Sequence, residues 1–265
     1  MKRLLVLGYG AACYAMFLGV FLYAIGFIGG FGTPTRLDAI SDGGSPSRVT
    51  LAVLINVLLI AIFGLQHSLM ARPAFKRLIT RWIPEPMERS TYVLASNVVM
   101  GLLFWLWQPL GGMVWLVESE VVRAAIWVFY GLGWLTVFVS TCLINHFDLF
   151  GLRQSWLYFR SRPNTPLPFT MPGPYRLVRH PLYVGWLMVV WATPTMSIAH
   201  FMFAIAVTAY ILVAIQLEER DLLKVHRDYA DYRRNVPMLI PRLFARTNKP
   251  ARNGYLGKSD GLPNA

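Results

Sequence analysis

Long apolar runs broken by short clusters of Arg, Lys, Pro and Gly set the pattern of this chain. Residues Leu4–Phe31, Val49–Met70, Ser90–Trp107 and Val121–Ile144 each meet or approach the roughly 20 apolar residues that a helix needs to cross hydrocarbon. A further apolar stretch, Leu182–Leu217, is too long for one crossing and holds Pro194 near its middle. It divides into Leu182–Thr193, a turn, and Ser197–Leu217. At about 1.5 Å of rise per residue, the first arm of that hairpin reaches only part of the way across. The pattern therefore predicts an all-α, polytopic integral membrane helical bundle with five to six transmembrane helices, the last ones a C-terminal helical hairpin.

Composition agrees with a chain that mostly avoids water. Of the 265 residues, 55% are hydrophobic and only 14% charged, against roughly 25% charged in a soluble domain. The mean hydropathy is +0.47. These values exclude a disordered protein, a disulfide scaffold and an ordinary soluble enzyme. The formal charge of +12 could suggest nucleic acid, but its distribution points elsewhere. With Lys2 and Arg3 placed in the cytoplasm, all but Arg36, Arg48 and Arg123 of the 25 Lys and Arg residues fall on that same side. Basic loops translocate poorly, so both termini are expected in the cytoplasm. Anionic lipids of that leaflet, not nucleic acid, are the expected partners of the charge.

The run at Leu4–Phe31 is too long for the core of a cleaved signal peptide and is read as a retained helix. Cys13 and Cys142 lie in predicted spans and read as small buried hydrophobes, with no metal site indicated. Gly131 and Gly133 would allow close helix contact. Leu222, Val225, Tyr229 and Tyr232 recur at helical spacing among charges, which predicts a helix lying on the inner surface. Residues 1–244 read as a single domain, and 245–265 as a disordered tail.

Ionisable groups at membrane depth are costly, so each needs a reason. His67, His146 and His180 all map to inner helix ends, with Glu218 and Glu219 at the same level. His200 maps to the outer hairpin tip and His226 to the tail. In Met171-Pro172-Gly173-Pro174-Tyr175, Pro172 and Gly173 suit a tight turn. In Arg179-His180-Pro181-Leu182-Tyr183, Pro181 suits a first helical position. That puts Arg179 and His180 at a helix N-terminus, where an anion is favoured. A basic residue before a proline helix start is common in membrane proteins, so this motif alone does not decide a function. Glu218 and Glu219 end the hairpin's return arm and point to different sides of the helix. One can meet a cationic ligand while the other stays near water. An anion site beside a cation site would suit a zwitterion. In Asn145–Gln154, His146 and Asp148 could form an acid–base or orienting pair, or Asp148 could answer Arg153 at a capped helix end. His67, beside Gln66 and Ser68, reads as an interfacial histidine.

The order of Gly173–Tyr175, Arg179-His180-Pro181-x-Tyr183-x-Gly185, a hairpin, then Glu218-Glu219 resembles the isoprenylcysteine carboxyl methyltransferase superfamily of membrane enzymes. Asn145–Gln154 and the Pro194-Thr195-Met196 tip resemble, within it, the nurim family. The resemblance implies methyl transfer from S-adenosylmethionine to a small thiol, methanethiol, giving dimethyl sulfide. It implies a cofactor-binding part at about 145–241, at the cytoplasmic side of a bacterial inner membrane. Arg179, His180 and the helix start would hold the donor's carboxylate, and Glu218 or Glu219 its ammonium. Gly173 would let backbone approach the donor, with Tyr175 in the same turn, and Tyr183 would line the pocket. A thiol must ionise to attack. His146, oriented by Asp148, is the first candidate base and His180 the second. No metal and no obligate protein partner is called for. Alternatives are methylation of an isoprenylcysteine carboxylate or a lipid amine, or a non-catalytic nurim-like scaffold. Repeated halves of a transporter are not seen.

Overall fold

Each apolar run folds as a helix close to its expected bounds in a computed structural model that describes residues 1–39, 44–165, 167, 171–225 and 228–242. The tail at 245–265 and His226 lie outside the described residues. Helices α1 (Lys2–Gly29), α2 (Pro46–Met70), α5 (Glu120–Ile144) and α9 (Ile198–Val225) are the long apolar ones. Helix α4 (Glu88–Leu106) is 19 residues long and opens on Glu88 and Arg89. Short helices α3 (Pro73–Ile79), α6 (His146–Leu149), α7 (Leu152–Phe159) and α10 (Tyr229–Asn235) lie between or after them. The expected five to six spans thus resolve into four long apolar helices, α4, and a half-length arm.

That arm is α8 (Pro181–Trp191), 11 residues, or roughly 16 Å of rise. It ends before Pro194 because proline lacks the N–H that would continue the ladder and restricts the residue ahead of it. The turn that follows is not bare. Strand β2 (Thr195–Ser197) pairs antiparallel with β1 (Met113–Leu116), from the connection between α4 and α5. A four-residue strand inside an apolar chain leaves no periodicity to read, so the sequence does not announce this sheet. It gives backbone groups at the hairpin tip partners that lipid would deny them. His200 is fully buried there. Its Nδ1 lies 2.7 Å from Asp38 Oδ2 and its Nε2 3.0 Å from the Val190 carbonyl oxygen.

The helices form a closed ring: α1 packs on α4, α4 on α2, α2 on α9, α9 on α8 and α8 on α5. Tyr130 of α5 completes it by donating to the Ile25 carbonyl of α1 at 2.5 Å, with Phe21 edge-on to Trp134. Phe27, Leu103, Phe104, Trp107, Val189, Val190 and Phe203 fill the ring at the end away from the basic loops. Outward residues such as Leu54, Leu58 and Leu65 of α2 stay exposed, the lipid-facing pattern of a membrane helix. Cys13 is buried as expected, but Cys142 is exposed, because its side of α5 faces outward.

The α5–α8 contact brings two helix backbones close together. A Cβ on Gly185 would sit 2.8 Å from the Val137 nitrogen and 2.9 Å from the Gly133 carbonyl oxygen. Backbone meets backbone there, as small residues permit in membranes. Gly133 serves this contact; Gly131 does not, since a Cβ placed on it would meet nothing within 4 Å. We expect Gly185→Ala to lose about 1–3 kcal/mol by overpacking, read as a lower thermal midpoint in detergent. An unchanged midpoint would refute the contact.

The segment expected to lie on the inner surface instead turns inward. Leu222 and Val225 extend α9, while Tyr229 and Tyr232 of α10 are buried. Tyr232 donates its hydroxyl to the Tyr175 carbonyl at 2.6 Å. This places α10 as a cover over the start of α8.

Candidate functional site

The basic end of the ring is where its polar side chains meet. Pro181 opens α8 with His180 as its N-cap residue. The backbone just before it is held by the C-terminal segment: Arg179 N donates to Pro237 O at 2.8 Å and His180 N to Met238 O at 3.2 Å. The hairpin brings Glu218 and Glu219 back to this point, and the two carboxylates part company as their positions on a helix require. Glu219 is buried at 2% exposure. It accepts from Arg179 Nε at 2.7 Å and His180 Nε2 at 3.0 Å through Oε1, and pairs with Arg233 Nε at 3.1 Å through Oε2. Arg179 Nη1 also donates to the carbonyls of Arg233 and Val236. Glu218 keeps 47% of its side-chain surface, accepts from the Tyr183 hydroxyl at 3.0 Å and lies 3.9 Å from His180 Nδ1.

The turn before α8 completes this corner. Gly173 starts a 3₁₀ turn at φ +48°, a conformation suited to glycine. A Cβ there would meet only Leu143, at 3.9 Å, so the backbone is open to a ligand. Burial, followed by the charge of Glu218, raises the Tyr175 phenol above its ordinary value. Burial pushes Tyr232 up to about 12. Both remain neutral phenols.

His146 follows Asn145, whose φ of +124° is rare for a residue with a side chain. The Asn145 side chain offsets part of that strain by accepting from Asp148 N at 3.1 Å, capping α6. The turn swings His146 back onto α5. Its Nδ1 lies 2.9 Å from Thr141 Oγ1 and its Nε2 2.8 Å from the Tyr14 hydroxyl of α1. Asp148 does not orient His146: its carboxylate takes Arg153 at 2.9 Å and Gln154 at 3.2 Å. The alternative reading of Asp148, as the partner of Arg153 at a capped end, matches this geometry. Burial lowers the His146 pKa from its ordinary value.

Helix register relates the two clusters. Val137 lies against Gly185 in the antiparallel α5–α8 pair. Four residues on, Thr141 therefore comes level with Pro181, and Leu143 touches the Gly173 turn. His146, bonded to Thr141, belongs to the same end of the same helix pair as His180.

Other polar groups at this end carry no clear sequence signal. The Tyr92 hydroxyl lies 2.8 Å from His67 Nε2, and Ser96 Oγ lies 3.4 Å from its Nδ1. Ser68 bonds Tyr210 at 3.0 Å. Helical spacing of tyrosines reads as packing, and Tyr14 and Arg233 are equally silent.

Comparison with known proteins bears on what this corner does. The chain is 54% identical over 242 residues, 91% of its length and 93% of the relative's, to methanethiol S-methyltransferase of Crocosphaera subtropica. It is 48% identical over 243 residues, 91% of its length and 98% of the relative's, to the protein of that name from Mycobacterium tuberculosis. The chain belongs to the methanethiol S-methyltransferase family. Nurim of Bos taurus is a more distant relative of that family, 26% identical to this chain over 232 residues, 80% of its length and 88% of nurim's. No family model and no solved structure matches the chain. Membership places the chain among enzymes, and the nurim-like motif at Asn145–Gln154 falls on the turn that carries His146.

Proposed function

We propose that this chain transfers the methyl group of S-adenosylmethionine to methanethiol, giving dimethyl sulfide. The names of relatives at 48% and 54% identity support the reaction. The observation that carries the site is the divergence of two adjacent carboxylates. Glu219 is consumed inside the protein, and Glu218 is half exposed beside Tyr183. The donor set fits a zwitterion. Glu218 would take the ammonium. The first N–H groups of α8, with Arg179 Nη2, would take the carboxylate. Glu219, His180 and Arg233 would fix Arg179 in place, and Gly173 would leave backbone room.

When bound, S-adenosylmethionine supplies an electrophilic methyl group on a sulfonium. The protein must bring a thiol to it as a thiolate. His146 would serve as base, since its lowered pKa keeps it neutral at pH 7. His180 is held by Glu219 and is less free to act. A thiolate and a sulfonium lose their charges as they react, so a site that excludes water favours the step. Methanethiol is small and apolar, and the half-exposed rings of Phe138 and Phe147 around His146 face the outside of the bundle. This suits entry of the thiol from lipid. We place the basic end in the cytoplasm of a bacterial inner membrane, by the positive-inside rule.

The test is incubation of membranes containing the full chain with methyl-labelled donor and methanethiol. Labelled dimethyl sulfide is the expected product; label in lipid without volatile sulfide would overturn the thiol assignment. Within this reading, Glu218→Gln is expected to weaken donor binding about tenfold, the scale of one charged hydrogen bond. Equilibrium binding of labelled donor measures it, and unchanged affinity would remove Glu218 from the ammonium site.

A further inference from the structure

The hydrogen bonds around His146 can be assigned proton by proton. Thr141 Oγ1 lies 2.7 Å from the Phe138 carbonyl oxygen. A carbonyl only accepts, so the single hydroxyl proton of Thr141 is committed to it. Toward His146 the same oxygen can then only accept, at 2.9 Å, which puts the ring proton on Nδ1. In the neutral ring Nε2 is left with a lone pair, and the Tyr14 hydroxyl at 2.8 Å donates to it. Phe17, Phe138, Phe147 and Phe150 flank the ring, and none of these side chains carries an acceptor. A base whose lone pair is already occupied cannot take a thiol proton directly.

We infer that Tyr14 is a proton relay between the thiol and His146, an inference that rests on the reaction proposed above. The thiol proton passes to Tyr14 Oη as the tyrosine's own proton passes to His146 Nε2. The imidazolium that forms keeps its Nδ1–H on Thr141. The thiolate sulfur then forms the new S–C bond to the donor's methyl carbon, while the methyl–sulfonium bond breaks and its electron pair stays on the donor sulfur. The imidazolium afterwards returns its proton to water by the reverse route. This gives α1, which lies outside the C-terminal signatures, a part in the chemistry. It also explains why a tyrosine hydroxyl is set among phenylalanines.

Two readouts test the relay. In the ligand-free full chain, ¹⁵N NMR of labelled histidine should show His146 with its proton on Nδ1, and Thr141→Val should shift the ring toward the Nε2–H form. A wild-type ring protonated on Nε2 would overturn the assignment. In turnover, Tyr14→Phe keeps the aromatic packing and removes only the hydroxyl. It should lower the rate with methanethiol about 100-fold, yet by less than about threefold with 2,2,2-trifluoroethanethiol under alkaline conditions, where that thiol is already ionised. Equal losses with both thiols, or no loss, would sink the relay. Should the variant fail to fold, the wild type alone still decides: its solvent isotope effect with methanethiol should vanish with the ionised thiol, and a persistent or absent effect with both counts against the relay. A wild type that makes no dimethyl sulfide refutes the reaction itself, whereas an active wild type with an indifferent Tyr14→Phe refutes only the relay.

Discussion

Glu219→Ala should abolish donor binding and destabilise the protein. The carboxylate is 2% exposed and holds Arg179, itself only 10% exposed in its side chain, together with His180 and Arg233. Removing one partner of a buried pair leaves the other charge without compensation, at a cost of about 3–5 kcal/mol. Arg233 is 45% exposed and contributes little, because water screens it. The loss therefore falls on Arg179 and on the backbone it holds through the Arg233 and Val236 carbonyls. Donor binding and the thermal midpoint should both drop, and far more than in Glu218→Gln, where stability should be kept. The comparison separates a frame from a ligand contact. A Glu219→Ala protein that stays as stable as wild type and loses only affinity would make Glu219 the ammonium partner instead.

The bundle was legible because lipid imposes a length and an apolar content on each span, and those are written locally. Val49–Met70 and Val121–Ile144 read directly as α2 and α5. Pro194 likewise announced the break after α8. The level at which these polar side chains gather was legible for the same reason: His146, His180, Glu218 and Glu219 stand at helix ends that the charge pattern had already sorted. What was not legible depends on which helices touch. Tyr14 and His146 are separated by 132 positions, and nothing near Tyr14 marks it as a partner. Asp148 looked like the natural partner of His146 at two residues' distance, yet the strained turn at Asn145 sends their side chains to different neighbours. Tyr229 and Tyr232 have the spacing of a surface helix, but the pairing of residues 179–180 with 237–238 pulls them inward. Sequence spacing states which side chains share a helix face; only packing states what that face meets.

Replacing His146 by alanine should lower turnover by about 10² to 10⁴, the usual range for a lost general base, with donor affinity little changed. The pH dependence gives the sharper test. Burial lowers the His146 pKa in the folded protein, so the ring stays neutral below the ordinary histidine value of about 6.5. Wild-type turnover should therefore remain level as pH falls from 8 to about 6.5, and decline only below that as Nε2 takes up a proton. In His146→Ala no such acid limb can come from this ring. The reaction then depends on the thiolate present in solution, and an alkanethiol has a pKa above the roughly 8.5 of cysteine. The variant's rate should rise about tenfold per pH unit through the neutral range, closing part of the gap to wild type. Parallel profiles for the two proteins, separated by a constant factor, would mean that His146 positions the site without moving a proton, and the thiol would need another base. His180, held by Glu219 and 3.9 Å from Glu218, is the second candidate and would then be the next to replace.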